Sequence, residues 1–513
     1  MKKSKNYLRG LRVLLAILFF VPILFFFVDF AGKMSGAFSF LPKLQIVPAI
    51  LSVSIAVIVV QLVVVLIFGR IYCSTLCPAG VLQDIINRVF CIGRKKKNGL
   101  HRFKYHKALN WVRYPLLALT AILTVCGVDE LLLLLDPYSN FGRISANLFR
   151  PAVMWTNNIL AALLVKLNNY SLFEVTISTA TTAGIIAAVT VLLLLIILVI
   201  FRGRFFCNTI CPVGGLLSLF SRFSIFKISF DQDACTHCGS CEHSCKAEAI
   251  DSENLHIDTS RCVDCFDCVS SCPKGGLKYR LLPAMNKKRT QKAEVTDTSR
   301  RNFIATTAVV AASLPIAKTF AAGKDIHNDW PPITPPGSIS IDRFKDLCTG
   351  CGLCVSRCPS QVLRPAGTQF GFDYLLKPYL SYANSFCNYS CTICSEVCPT
   401  DAIKPLTIEK KKTTQVGIAQ FYRGRCVVYR QETSCGACSE HCPTQAVHMV
   451  PYKGYLTIPE VDPKLCIGCG GCESICPARP RRAIQVKPNA IHKTAVKPIE
   501  IKQKEIKVDD FGF

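Results

Sequence analysis

The sequence predicts a polytopic α-helical membrane domain joined to small α+β domains organised by cysteine. Three observations predict it: long apolar runs confined to the first two hundred residues, 30 cysteines at regular spacings, and a membrane segment that occurs twice. At 513 residues the chain is too long for one core, so several domains are expected. Half of it is hydrophobic, yet the last two hundred residues read as a soluble, basic chain. Disulfide frameworks belong to small secreted domains without a polytopic half, so the cysteines point to metal.

Four apolar segments, roughly 11–31, 46–68, 108–127 and 180–201, are long enough to span a bilayer. Lys2, Lys3, Lys5, Arg9 and Arg12 precede the first. The connection between the second and third carries Arg88, Arg94, Lys95, Lys96, Lys97, Arg102, Lys104 and Lys107, and no acid lies between residues 85 and 128. By the positive-inside rule both regions are cytoplasmic, and four spans return the chain to that side. "GRIYCSTLCPAG" (69–80) follows the second span and "GRFFCNTICPVG" (203–214) the fourth, so residues 1–224 read as two units of two spans and a cysteine pair. The proline suits the first turn of a following helix.

Residues 225–285 read as a compact soluble domain. Its runs "CTHCGSCEHSC" and "CVDCFDCVSSCP" match the bacterial ferredoxin spacing, in which three cysteines hold one cubane and a fourth completes the other. Cys235, Cys238 and Cys241 then pair with Cys272, and Cys262, Cys265 and Cys268 with Cys245. Zinc sites do not carry this run. Lys246 stands where proline usually follows the fourth cysteine. The region 338–486 repeats the scheme twice. Cys348, Cys351 and Cys354 take Cys398; Cys387, Cys391 and Cys394 take Cys358. Cys466, Cys469 and Cys472 take Cys442; Cys426, Cys435 and Cys438 take Cys476, with an unusually long gap after Cys426. The expected cofactors are thus six [4Fe–4S] clusters in bacterial-type two-cluster ferredoxin domains. Six oxidised clusters add roughly −12 to the formal +26, so the basic balance is no argument for nucleic acid, and none is expected as a partner.

The membrane pairs Cys73, Cys77 and Cys207, Cys211 leave two readings. Either they are free or disulfide-bonded thiols that fix where a helix begins, or the two units pack about a pseudo-twofold axis and share a seventh cluster. Cys91 has no evident partner, and Cys126 reads as a small core residue.

Residues 286–337 form a basic linker, an apolar segment and the proline-rich "DWPPITPPG"; a basic tail fills 487–513. Within the linker, "SRRNFIATTAVVAASLPIAK" (299–318) has the form of a twin-arginine export signal, here in mid-chain. Clusters are loaded in a reducing cytoplasm. A cluster domain bound for the outer face therefore crosses folded, which is what the twin-arginine machinery carries. The expectation is an inner-membrane bacterial protein, with residues 225–285 cytoplasmic and 338–486 periplasmic.

With its paired C-x-x-x-C-P segments, "DPYSNFGRI" (136–144) and trailing two-cluster domain, the membrane half resembles the NapH and MauN polyferredoxins and the membrane part of NosR. The part after the twin arginines resembles the NapG and MauM exported ferredoxins, so two proteins that are usually separate are fused here. The resemblance implies quinol dehydrogenase-type electron transfer, from menaquinol or ubiquinol to a periplasmic redox enzyme or cytochrome. It also implies a quinone site, for which His101 and His106 are candidate proton carriers. The alternatives are an assembly or reductive-activation factor for a periplasmic metalloenzyme, and electron flow from cytoplasmic ferredoxin without quinol. No nucleophile, carboxylate dyad, phosphate loop or flavin fingerprint is present, and no catalytic side chain is expected.

Overall fold

The structure, a computed structural model, describes residues 7–32, 36–93, 103–177, 181–281 and 330–497. The twin-arginine segment, His101 and the end of the tail lie outside them.

Helix α1 (Tyr7–Val28) has 22 residues, about 33 Å of rise, enough to cross a bilayer core. The second apolar run is not one helix. Val53, a β-branched residue at φ 53°, and Ser54 break it into α2 (Ile46–Leu51) and α3 (Ile55–Phe68). The third run gives α5 (Asn110–Val125), which follows α4 (Pro78–Gly93) and is only 16 residues long. Cys126 caps its end and is exposed, not a core residue. A segment not anticipated from apolarity follows: α6 (Pro137–Ile144) continues through a π turn at Ser145–Phe149 into α7 (Arg150–Lys166). Asn140, Arg143, Asn147 and Arg150 interrupt its apolar pattern, which is why a search for apolar runs passes over it. Asp136 caps it, accepting from the Ser139 amide at 2.9 Å, and Pro137 occupies the first turn. The fourth expected run is α8 (Thr182–Arg202), capped by Thr181, and α9 (Pro212–Ser221) follows the second cysteine pair.

By length and composition three helices suffice to cross a membrane: Tyr7–Val28, Pro137–Lys166 and Thr182–Arg202. Contacts at their ends give a different pattern. At one end, Arg9 of α1 pairs with Asp267 at 2.9 Å, Arg113 of α5 donates to Ser260 Oγ at 3.3 Å, and Arg202 of α8 pairs with Glu248 at 3.0 Å. The amide of Ile225 donates to Leu66 O at the end of α3. All these partners belong to the first cysteine-rich region. At the other end, Asp29 after α1 pairs with Arg357, and Thr181 before α8 donates to Pro365 O at 3.4 Å. Asp129, just past α5, lies within electrostatic reach of Lys377. Contacts at both ends therefore show α1, α5 and α8 running between the two cysteine-rich regions, while α3 ends at the first of them. The Pro137–Lys166 helix does not connect them: Arg143 donates to Thr349 O and Gly350 O, and Asn158 holds Val175, next to Thr176, whose carbonyl accepts from Gln361. Outward-facing Leu14, Leu18, Val60, Ile186, Leu193 and Ile197 give the bundle an apolar exterior.

The first cysteine-rich region closes with β1 (Phe226–Phe230) antiparallel to β4 (Leu277–Leu281), Ile228 facing Tyr279. A short hairpin, β2 (Ile250–Asp251) and β3 (His256–Ile257), lies between them. The second holds the pairs β5 (Leu363–Pro365)–β6 (Pro378–Leu380), β7 (Thr414–Phe421)–β10 (Ile484–Thr494) and β8 (Val447–Lys453)–β9 (Leu456–Val461). Strand β10 runs through the boundary expected at 486, so the start of the basic tail is a structural strand. Pro488 and the alternating lysines conceal it in the sequence. Part of the proline-rich stretch also belongs to this region: Thr334 is buried, and Ile333 O accepts from the Leu380 amide.

Candidate metal centres

Cysteine loops of the form C-x-x-C-x-x-C recur with one backbone shape. The residue before the second cysteine and the one after it are both left-handed: His237 and Gly239, Asp264 and Phe266, Gly350 and Gly352, Gly468 and Gly470. Left-handed turns on either side of a cysteine curl the loop so that three side chains converge. Three residues beyond the fourth cysteine the backbone turns left-handed again, at Glu248, Gly275, Gln361, Asp401 and Gln445. The two irregular loops, around Cys391 and Cys435, lack the first pair of turns.

These loops bring the cysteines together in crossed sets. Cys235, Cys238, Cys241 and Cys272 line one cavity of about 370 Å³, and Cys245, Cys262, Cys265 and Cys268 another of about 350 Å³. Cys426, Cys435, Cys438 and Cys476 line a third of about 360 Å³, so Cys426 joins its set despite the long gap. Cys354 has Cys348, Cys351 and Cys398 as neighbours; Cys394 has Cys387, Cys391 and Cys358; Cys472 has Cys466, Cys469 and Cys442. Backbone amides point at the sulfurs: Gly276 N lies 3.2 Å from Cys272 Sγ, and Ile403, Ala419 and Ala483 amides lie 3.4 Å from Cys398, Cys466 and Cys476. Such donors favour thiolate over thiol. Among the described residues no three ligand side chains stand close enough to share one ion.

The sets also neighbour one another, in an order different from the sequence. Cys241 lies near Cys268, Cys354 near Cys394, Cys387 near Cys469, and Cys472 near Cys438. The set around Cys351 abuts the helical half, with Gly142 packed on Cys351 O.

The junction between the helices and the first cysteine-rich region turns on Asp84, which sequence reading did not single out. Asp84 of α4 receives Arg12 at 3.0 Å, Arg204 at 2.7 Å and Lys246 at 2.9 Å, and Lys246 also reaches Asp267 at 3.0 Å. Burial opposes the Asp84 charge, but Arg204, Lys246 and Arg12 overcome it and hold the carboxyl far below the usual range. Lys246 replaces the usual proline because it ties the cysteine-rich region to α4. The one available signal was the departure itself. Of the proton candidates, His106 is half exposed, with Nδ1 3.2 Å from Glu248.

The four membrane cysteines are all buried and all free of disulfides. Cys77 has Cys73 and Cys207 as neighbours, and Cys211 has Cys207, Cys77 and Cys73. The repeat in the sequence thus becomes a meeting of its two copies.

Family models agree with these loops. One described as a 4Fe-4S binding domain matches residues 49–99 and 184–230; one for a 4Fe-4S dicluster domain matches 347–402 and 433–479, and another of that description 227–273. Fold and loops together define an iron–sulfur electron-transfer protein with multiple 4Fe-4S clusters and a redox partner. The chain is 28% identical over 288 residues to an uncharacterised protein of Methanocaldococcus jannaschii, covering 55% of this chain and 92% of the relative. It is 29% identical over 146 residues to the ferredoxin-type protein NapF of Escherichia coli, covering 28% and 80%. With the methylamine utilization ferredoxin-type protein MauM of Methylobacillus flagellatus the identity is 30% over 173 residues, covering 31% and 69%. The chain belongs to the MauM-type ferredoxin family. No solved structure matches it.

Proposed function

We propose that the protein carries electrons across the cytoplasmic membrane, from quinol to a redox enzyme or cytochrome on the outer side, through six cubanes held by the six cysteine sets. The supporting observation is that the two cysteine-rich regions sit at opposite ends of the same long apolar helices, α1 and α8. When bound, cubanes supply one-electron transfer, with potentials set by burial, charge and hydrogen bonds to sulfur. The chain arranges its cysteine sets in series and keeps most of them from water. Cys238 is exposed, so the first set meets solvent on the inner side; on the outer side the series ends at the Cys435 set. The basic inner loop and the twin-arginine segment support this orientation.

For quinol the chain offers a cavity of about 310 Å³ lined by Lys107, Arg202, Asn208, Glu248 and Arg261, beside His106 and one turn from Cys207. There Glu248 and His106 are placed to accept protons as the head group is oxidised. A second reading, reduction by cytoplasmic ferredoxin, is favoured by the exposure of Cys238. Quinol added anaerobically to the full chain in lipid discs separates them. Bleaching of cluster absorbance by quinol supports the first. Bleaching by reduced ferredoxin alone supports the second, and reduction without sustained turnover would favour a reductive-activation role. Exchanging Arg300 and Arg301 for lysine should trap a reporter fused after Phe513 inside the cell; unaltered export would remove the twin-arginine assignment.

A further inference from the structure

We propose that Cys73, Cys77, Cys207 and Cys211 together hold one further iron–sulfur cluster of cubane type, shared half and half by the two membrane repeats. The inference rests on the electron-transfer reading above and adds the step that joins its two sides.

The two repeats embrace by exchange. Arg204 of the second donates through Nη1 to Cys73 O of the first at 2.6 Å, and Arg70 of the first donates through Nη2 to Cys207 O of the second at 3.1 Å. The glycine closing each motif is required by the same fold. A Cβ on Gly80 would lie 2.1 Å from Cys73 O and 3.1 Å from Arg204, and one on Gly214 would lie 1.9 Å from Cys207 O and 2.9 Å from Arg70. The motif G-R-x-aromatic-C-x-x-x-C-P-x-G thus describes one half of a twofold site. Each half supplies two thiols, one buried guanidinium and one tight turn.

Charge gives a second, independent indication. Arg70 is fully buried. The hydrogen-bond partners of its guanidinium are neutral: Asn208 Oδ1 and Ser260 O at 2.9 Å, Cys207 O, and Cys73 Sγ at 3.8 Å, while Nε has none. The buried Asp264 lies within electrostatic reach but takes the Arg70 backbone amide and not the guanidinium, so four neutral thiols leave that cation without a directly bonded counter-ion, which is costly. Four thiolates around an oxidised cubane core carry about −2, set between Arg70 and Arg204. Gln83 points the same way. Its Oε1 lies 3.4 Å from Cys207 Sγ and its buried Nε2 has no partner. Turning the amide over would let Nε2 donate to a Cys207 thiolate and leave the carbonyl oxygen, not the amino group, without a partner.

The place in the series is the third. Arg204 lies within electrostatic reach of both Cys207 and Cys265, so the site adjoins the inner ferredoxin. On its other side, Tyr72 neighbours Cys73, Cys77 and Asp136, and Asp136 neighbours Cys351 of the outer region. An electron passing from the inner ferredoxin clusters to the Cys351 set has this quartet on its path, and no bond forms or breaks in the transfer.

Iron and acid-labile sulfide in the purified full chain decide the matter without any donor or acceptor. Seven cubanes give about 28 irons and 28 sulfides per chain; six give about 24, and a two-iron cluster here about 26. We expect about 28, falling to about 24 in a Cys73→Ser, Cys207→Ser variant whose remaining cluster spectra match the wild type. A wild type at 24 or 26, or a variant that keeps all its iron, overturns the proposal. Should that variant not accumulate, Gln83→Leu keeps every thiol, and we expect the reduction potential of a single cluster to move; no change in any potential counts against it. Failure of quinol to reduce the protein leaves the iron count untouched, so the two readings fail separately.

Discussion

Replacing Asp84 by asparagine should loosen the first ferredoxin region from the helices without unfolding it. The exchange keeps shape and removes a charge on which Arg12, Arg204 and Lys246 converge within 2.7–3.0 Å. The Asp84 side chain is 13% exposed and its three partners 6%, 1% and 6%, so water compensates little. Removing one partner of a buried pair costs about 3–5 kcal/mol, because the other is left charged. Here Lys246 retains Asp267, while Arg12 and Arg204 lose their carboxylate. We expect about 3–5 kcal/mol. The strand pair β1–β4 does not involve Asp84 and should persist. The assay is denaturant unfolding of the full chain in detergent, read by protease cleavage between the α9 helix and the first ferredoxin and, separately, by cluster absorbance. Cleavage should advance while absorbance holds. A Lys246→Met change in the Asp84→Asn background should cost less than in the wild type, since residues of one network couple. A loss below about 0.5 kcal/mol, or additive single and double changes, would refute the reasoning. Because the Asp84 carboxyl is depressed, its contribution is complete at neutral pH and is lost only as pH falls below about 4.

Cys272→Ser should abolish the cluster held with Cys235, Cys238 and Cys241 and spare the one held by Cys262, Cys265 and Cys268; electron paramagnetic resonance showing the reverse loss contradicts the crossed pairing. Gly214→Ala forces a Cβ to 1.9 Å from Cys207 O, so it should destabilise the membrane half by about 1–3 kcal/mol or more, while Gly424→Ala, with open space around it, should not; equal unfolding midpoints would count against the tight turn. Burial holds His492 neutral, pushing it down to about 4 against an ordinary 6.5, with Thr334 at 2.9 Å from Nε2. A depressed histidine gives stability that is present above 6.5 and lost as pH falls toward 4. The loss should reach at most about 3 kcal/mol, less for partial exposure, and His492→Gln should flatten it in acid unfolding curves.

The cysteine sets were legible because cubane ligation fixes spacing locally. Three thiols within seven residues can converge only if the loop curls, and the fourth is announced by its distance from them. The helices α1 and α8 were legible as apolar runs, and so was the second run, though its break at Val53 was not, since valine gives no sign of a left-handed backbone. Residues 130–149 escaped notice for the opposite reason. Arg143 and Asn147 look too polar for a buried segment, and only the carbonyls of Leu133, Thr349 and Gly350 explain how the arginine is satisfied there. Asp84 was invisible because its three cations come from positions 12, 204 and 246, and no local pattern relates them. Arg70 and Arg204 were visible as letters in both copies of a motif, and their role required the second copy in space.

That last case bears on why the two halves share one chain. The helices α1 and α8 each touch the inner ferredoxin at one end and the outer region at the other, through Arg9 and Arg357, Arg202 and Pro365. A shift of either region along the helix axes would break contacts at the ends of a rigid helix, so the bundle acts as a spacer between them. Electron transfer between fixed centres depends on such spacing, since the protein cannot move its clusters together to compensate. Joining the two cysteine-rich regions to one bundle fixes their separation, and it sets their stoichiometry at one to one.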